Sequence, residues 1–159
     1  MTYQFFYLSI AGLALSVAGF AGLVTAFRHD EGWTRANLWR VRNIVRRSIV
    51  LVLTALLPFP AFALTNDEPT ALRTTAAALI AAMLYDMVGV FRERDQWGDA
   101  RWIRPYLVLG AAELLLPILT FVFASVGLLM LSLIVRLEHP MHLFLNVIST
   151  FRPPIASDE

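Results

Sequence analysis

Two acids sit where an apolar chain tolerates them least. Glu113 is the one charged side chain in the thirty residues from Tyr106 to Val135, a run that also contains Pro117. Asp86 lies near the end of another apolar run, Ala71 to Phe91, and Arg46 and Arg47 stand together at the start of a third. Ionisable groups at such places are costly, and mark a functional site by default. Carboxylates beside arginines can relay protons or small cations. They can also neutralise each other and fix the packing of helices. Glu113, Asp86, Arg46 and Arg47 are therefore the candidate polar cluster, and the chemistry is ion or proton handling.

The chemistry open to the chain is narrowed by what it lacks. Of its 159 residues, 58% are hydrophobic and 16% charged, with a mean hydropathy of +0.64. Globular chains carry about 25% charged residues. All thirteen basic residues are arginine. Without lysine there is no Schiff base and no P-loop lysine. Without cysteine there is no disulfide, thiolate nucleophile or Cys-ligated metal. No GxSxG, HExxH, GxGxxG or P-loop pattern occurs.

The elements that must position the cluster are membrane-spanning helices. About 20 apolar residues cross a bilayer core. Four runs qualify, at about 5–27, 44–64, 71–91 and 105–135. The first has no basic residue before it, so it reads as a retained span rather than a signal peptide. Its small residues Gly12, Ala14, Ser16, Ala18 and Gly22 would let another helix approach closely. Pro58 and Pro60 should kink or stop the second span. Tyr106 to Val135 would measure about 45 Å as one helix against a core of about 30 Å. The expectation is one long helix, tilted or kinked at Pro117. The alternative breaks it at Ser125-Val126-Gly127 and adds a fifth, partial span.

Between the spans lie interfacial segments. Residues 33–43 mix arginine with Trp33 and Trp39 and read as an amphipathic linker, with Thr34 as its N-cap. Residues 92–104 form a mixed-charge loop with Trp97, Trp102 and a turn at Gly98. Residues 136–152 read as an amphipathic tail on the membrane surface. The arginines concentrate in the first and third connections, which makes those cytoplasmic and both termini extracytoplasmic. By helical rise, Asp86 and Glu113 then lie at similar depth, about 9–14 Å from the cytoplasmic loop.

Three further patterns carry weaker signals. Arg40, Arg46 and Arg47 precede an apolar run but do not continue into it, unlike a voltage-sensing helix. Glu138, His139 and His142 offer too few ligands for a metal site and read as interfacial residues. The basic first connection is explained by membrane topology, without a nucleic-acid partner.

Arg42-Asn43-Ile44-Val45-Arg46, at the start of the second span, resembles the Asn-x-x-Glu pattern of the MAPEG group of small four-helix, glutathione-dependent membrane enzymes. Arginine stands at Arg46 where the family has glutamate. The resemblance implies a glutathione pocket between subunits, lined by Arg40, Arg42 and Asn43.

The sequence thus predicts an all-α, single-domain polytopic protein of four transmembrane helices in a bacterial-type inner membrane. The expected function is non-enzymatic: a channel- or transporter-like protein, or an accessory subunit. Its partners would be lipid and either further copies of itself or a membrane complex, with no cofactor, metal or nucleic acid. The alternative is a MAPEG-like enzyme acting on a lipophilic substrate at the cytoplasmic interface.

Overall fold

The protein is described by a computed structural model covering residues 3–27, 35–92 and 103–149. Thr34, Trp33, Trp97, Gly98 and Trp102 fall outside these ranges. Six helices follow in order: α1 (Gln4–Phe27), α2 (Arg35–Leu56), α3 (Pro58–Thr65), α4 (Glu68–Arg92), α5 (Ile103–Phe123) and α6 (Val126–Ser149). No strand occurs among the described residues.

Four stretches are long and apolar enough to cross a membrane: Gln4–Ala26, Asn37–Thr65, Glu68–Gly89 and Val126–Ile148. A shorter apolar helix, Val108–Phe123, accompanies them. The number four matches the expectation, but the last span is a different one. The chain does not run as one helix from 105 to 135. Ala124 takes φ 48° and closes α5 by donating its N–H to the Thr120 carbonyl at 2.8 Å. A left-handed residue ends a helix by reversing the backbone at its last carbonyls. The next helix begins at once, with the Leu129 N–H on the Ser125 carbonyl. Two antiparallel helices of about 31 and 36 Å replace one of about 45 Å. Pro117 and Pro140 stay inside them.

Two expected surface segments become parts of the bundle. Residues 136–149 are the second half of α6, and Arg136, Leu137, His139 and Val147 are buried there. Residues 35–43 are the first turns of α2, with Trp39 and Asn43 buried. Both were expected at the interface because their charges dilute the apolar pattern, but Arg136 pairs with Asp86 and His139 lies beside Glu113 inside the bundle. α2 ends at Leu56, and α3 starts at Pro58, where the missing N–H falls in a first turn. Leu57 keeps helical angles, so the two form one span of 29 residues.

The helices alternate in direction. Tyr7 packs edge-on against Phe59 at 5.9 Å, and Arg73 Nε donates to the Phe121 carbonyl at 3.3 Å. The start of α1, the α3–α4 turn and the α5–α6 break therefore share one end. At the other end Phe20 meets Phe144 at 6.3 Å, and Ala21, Ile44 and Val147 cluster. The first and last described residues thus lie at opposite ends. Between them run the four long apolar stretches and the shorter apolar helix Val108–Phe123.

α5 turns its bulk outward. α5 buries Gly110, Glu113, Pro117 and Thr120 while exposing Val108, Leu115, Phe121 and Phe123. Small and polar residues inside with large apolar ones outside is the pattern of a bundle whose solvent is lipid. The expected packing face of α1 is divided. Ala14 is fully buried and Ala18 half-buried, but Gly12, Ser16 and Gly22 lie on the outer surface. A Cβ added at Gly12 or Gly22 would meet nothing within 4 Å. At 100° per residue, positions 12 and 14 cannot share a face.

Candidate functional site

The charged cluster forms where α2, α4, α5 and α6 meet, between two apolar clusters. Chain arithmetic across the turns brings it together. Arg47 precedes Asn66 by nineteen residues, and Asp86 follows Asp67 by nineteen. Glu113 precedes Ala124 by eleven, and Arg136 follows Ser125 by eleven. Equal helical rise from a turn places residues at equal depth.

Asp86 is the hub of one half. Its Oδ1 accepts a hydrogen bond from Arg46 Nη2 at 3.0 Å, and its Oδ2 accepts from Arg136 Nη2. Arg47 Nε lies 3.7 Å from the same Oδ2. Three guanidinium groups from two helices thus converge on one carboxylate of a third. Arg47 and Arg136 are buried with it, whereas the Arg46 side chain is 32% exposed and lies over the Tyr85 ring, 5.6 Å from its centroid. Gly89 lies beside this guanidinium, and a Cβ there would make ordinary contact with Arg46 Nη2 at 3.5 Å.

Glu113 is the centre of the other half. Its Oε2 lies 3.4 Å from His139 Nδ1, and Glu138 Oε2 lies 3.8 Å from the same nitrogen. Glu113 and His139 are buried, and Glu138 reaches the surface. Neither carboxylate oxygen of Glu113 accepts a hydrogen bond among the described residues. Pro117 also withdraws a donor, because the residue four ahead normally bonds the helical carbonyl. Pro140 does the same to the carbonyl of Arg136.

All four sequence candidates enter the cluster, but with different partners from those expected. Asp86 takes the arginines and Glu113 takes a histidine. Arg136 and His139 were placed in a surface tail. The signal that could have found them is their spacing of three, in phase with Leu129, Ser132 and Leu133. His142 is exposed, whereas His139, read with it as an interfacial residue, is buried.

Beyond the cluster, toward the α3–α4 turn, the interior carries no further charge among the described residues. Tyr7, Leu51, Leu72, Leu79, Leu129 and Leu133 fill it. The buried hydroxyls of Thr54, Thr75, Thr120 and Ser132 each donate to a carbonyl of their own helix. The site is therefore one-sided, with edges at Arg46 and Glu138 and an apolar seal above.

The residues of the MAPEG resemblance are engaged within the chain. Asn43 Nδ2 donates to the Trp39 carbonyl, Arg40 Nη1 to Asn37 Oδ1, and Arg46 is held by Asp86. No protein-family model, no curated protein and no solved structure matches this chain.

Proposed function

We propose that this is a small, non-enzymatic multi-pass membrane protein whose working part is the one-sided ionic cluster, a transporter-like cation site. The observation that carries the reading is Glu113. A buried carboxylate normally has its oxygens satisfied by donors, and those of Glu113 are not among the described residues. The guanidinium groups are directed at Asp86 instead, which leaves Glu113 with His139 for a mobile ion. The apolar seal argues against a continuous pore and for a site occupied from one side at a time.

The positive-inside rule orients the bundle. Arg35, Arg40, Arg42, Arg46, Arg47, Arg92, Arg104 and Arg136 lie on the helices at the cluster or on the side of it away from the α3–α4 turn, and in sequence Arg28, Arg94, Arg101 and Arg152 flank those helices. Among the described residues, Arg73 is the one arginine at the opposite end. That end is then extracytoplasmic with the N-terminus, and the C-terminus is cytoplasmic. A bacterial-type inner membrane fits this asymmetry, and the outer surface of α1 at Gly12 and Ser16 suits a second copy or a partner subunit.

The test is flux in proteoliposomes of the full chain, with protons, monovalent and divalent cations offered in turn. The reading expects uptake of one class, reduced at least tenfold by Glu113→Gln. Wild-type vesicles no more permeable than empty ones to every class would overturn it and leave the accessory-subunit role.

A further inference from the structure

We infer that Glu113, His139 and Glu138 form a binding site for a divalent transition-metal cation of the zinc class, which deepens the cation-site reading by naming the ion. One oxygen from each acid and one imidazole nitrogen lie within 4.8 Å of one another. Carboxylate oxygen and histidine nitrogen are zinc ligands at about 2.0–2.2 Å, so two ligands of a tetrahedral ion stand about 3.4 Å apart. The Glu113 Oε2 to His139 Nδ1 separation is 3.4 Å. Glu138 lies at 3.8 Å, and its exposed side chain is free to close the difference. Three protein ligands leave a fourth position for water, as in open metal sites.

One observation points to a ligand beyond the grouping itself: Glu113 is 93% buried, from a relative exposure of 7%, yet neither of its carboxylate oxygens accepts a hydrogen bond among the described residues. Arg46, Arg47 and Arg136 on Asp86 leave that half of the cluster at a net +2, which weakens a dication's hold on the neighbouring acids without occupying their oxygens.

The experiment is equilibrium binding of Zn²⁺ to the chelator-treated full chain in detergent, with Co²⁺ absorption to report coordination geometry. The expected result is one ion per chain and a tetrahedral cobalt spectrum. Glu113→Gln and His139→Gln should abolish both. Glu138→Gln should weaken binding about tenfold, within the range for a perturbed ligand shell. Arg46→Gln should tighten it, a gain that damage to the fold cannot mimic. His142→Gln should leave it unchanged. Failure of wild-type protein to bind Zn²⁺ above the detergent blank, or equal binding by Glu113→Gln, would overturn the site. Cation flux without Zn²⁺ binding would sink this inference alone, and Zn²⁺ binding without any flux would sink only the transport reading.

Discussion

Replacing Asp86 by asparagine removes the one carboxylate on which Arg46, Arg47 and Arg136 converge. The gross attractions are large. At an effective dielectric of about 20, the 3.0 Å contact to Arg46 is worth about 5.5 kcal/mol and the 3.7 Å contact to Arg47 about 4.5 kcal/mol. Most of this is offset by the desolvation of the charges, so the gross figures are not the expected loss. The relevant quantity is the cost of stranding a buried charge, about 3–5 kcal/mol. Arg46 can turn toward water, being a third exposed, so the penalty falls on Arg47 and Arg136, which are 2% and 6% exposed. Asp86→Asn should therefore destabilise the protein by about 3–5 kcal/mol. Arg136→Met should cost less, because Asp86 keeps two arginines, and Arg46→Met least. The double variant Asp86→Asn/Arg136→Met should cost less than the sum, because the second change removes a charge the first had stranded. The assay is reversible unfolding by SDS in mixed micelles, followed by helical circular dichroism. If Asp86→Asn does not accumulate, the order of the two arginine variants still tests the hub. An Asp86→Asn within about 0.5 kcal/mol of wild type, the range of ordinary surface changes, or equal costs at Arg136 and Arg46, would refute the reasoning.

Two further predictions concern the turns. Ala124 holds a left-handed conformation at φ 48°, which costs a non-glycine residue about 1–2 kcal/mol. Glycine relieves that and adds about 0.4–1 kcal/mol of unfolded-chain entropy. Ala124→Gly should thus stabilise by about 0.5–1 kcal/mol in the same unfolding assay, and Ala124→Val should destabilise. At the other turn, Asp67 Oδ2 accepts the Thr70 N–H at 2.9 Å and caps α4. Hydrogen bonding by Thr70, side chain first and main chain second, holds the Asp67 carboxyl below its usual value, with a smaller contribution from Arg73. A depressed carboxyl stabilises the fold above its unfolded pKa and loses that contribution as pH falls through the folded value. The thermal midpoint should therefore drop on acidification below about pH 4, and the part due to this cap should be absent in Asp67→Asn. An unaltered acid profile in that variant would remove the cap from the account.

The break in the long apolar run shows where a pattern of residue types stops being informative. Thirty apolar residues predict a membrane element whatever their backbone does, because lipid selects on hydropathy alone. The alternative break at Ser125-Val126-Gly127 adjoins the observed turn, but Gly127 is inside α6 and the left-handed residue is Ala124, a type that does not mark such a turn. Asn66 does mark its turn at φ 52°, because asparagine is among the residue types that enter the left-handed region most readily. Once Ala124 is a turn, counting outward from it brings Arg136 and His139 level with Glu113 and explains why charges read as a surface tail are buried.

By itself the sequence determined that the chain is helical and apolar enough to span a membrane. It also determined that its chemistry must rest on a few acids and arginines, because it has no cysteine, no lysine and few charges of any kind. It identified Asp86, Glu113, Arg46 and Arg47 by their cost, which follows from residue type and position along a span. Only the tertiary structure decided who pairs with whom. Pairing depends on helix rotation and on where the chain reverses, and both are settled by packing between segments 40 to 50 residues apart, as from Arg46 to Asp86 and from Asp86 to Arg136. It gave Asp86 the three arginines and left Glu113 beside His139 with its carboxylate oxygens free of hydrogen bonds.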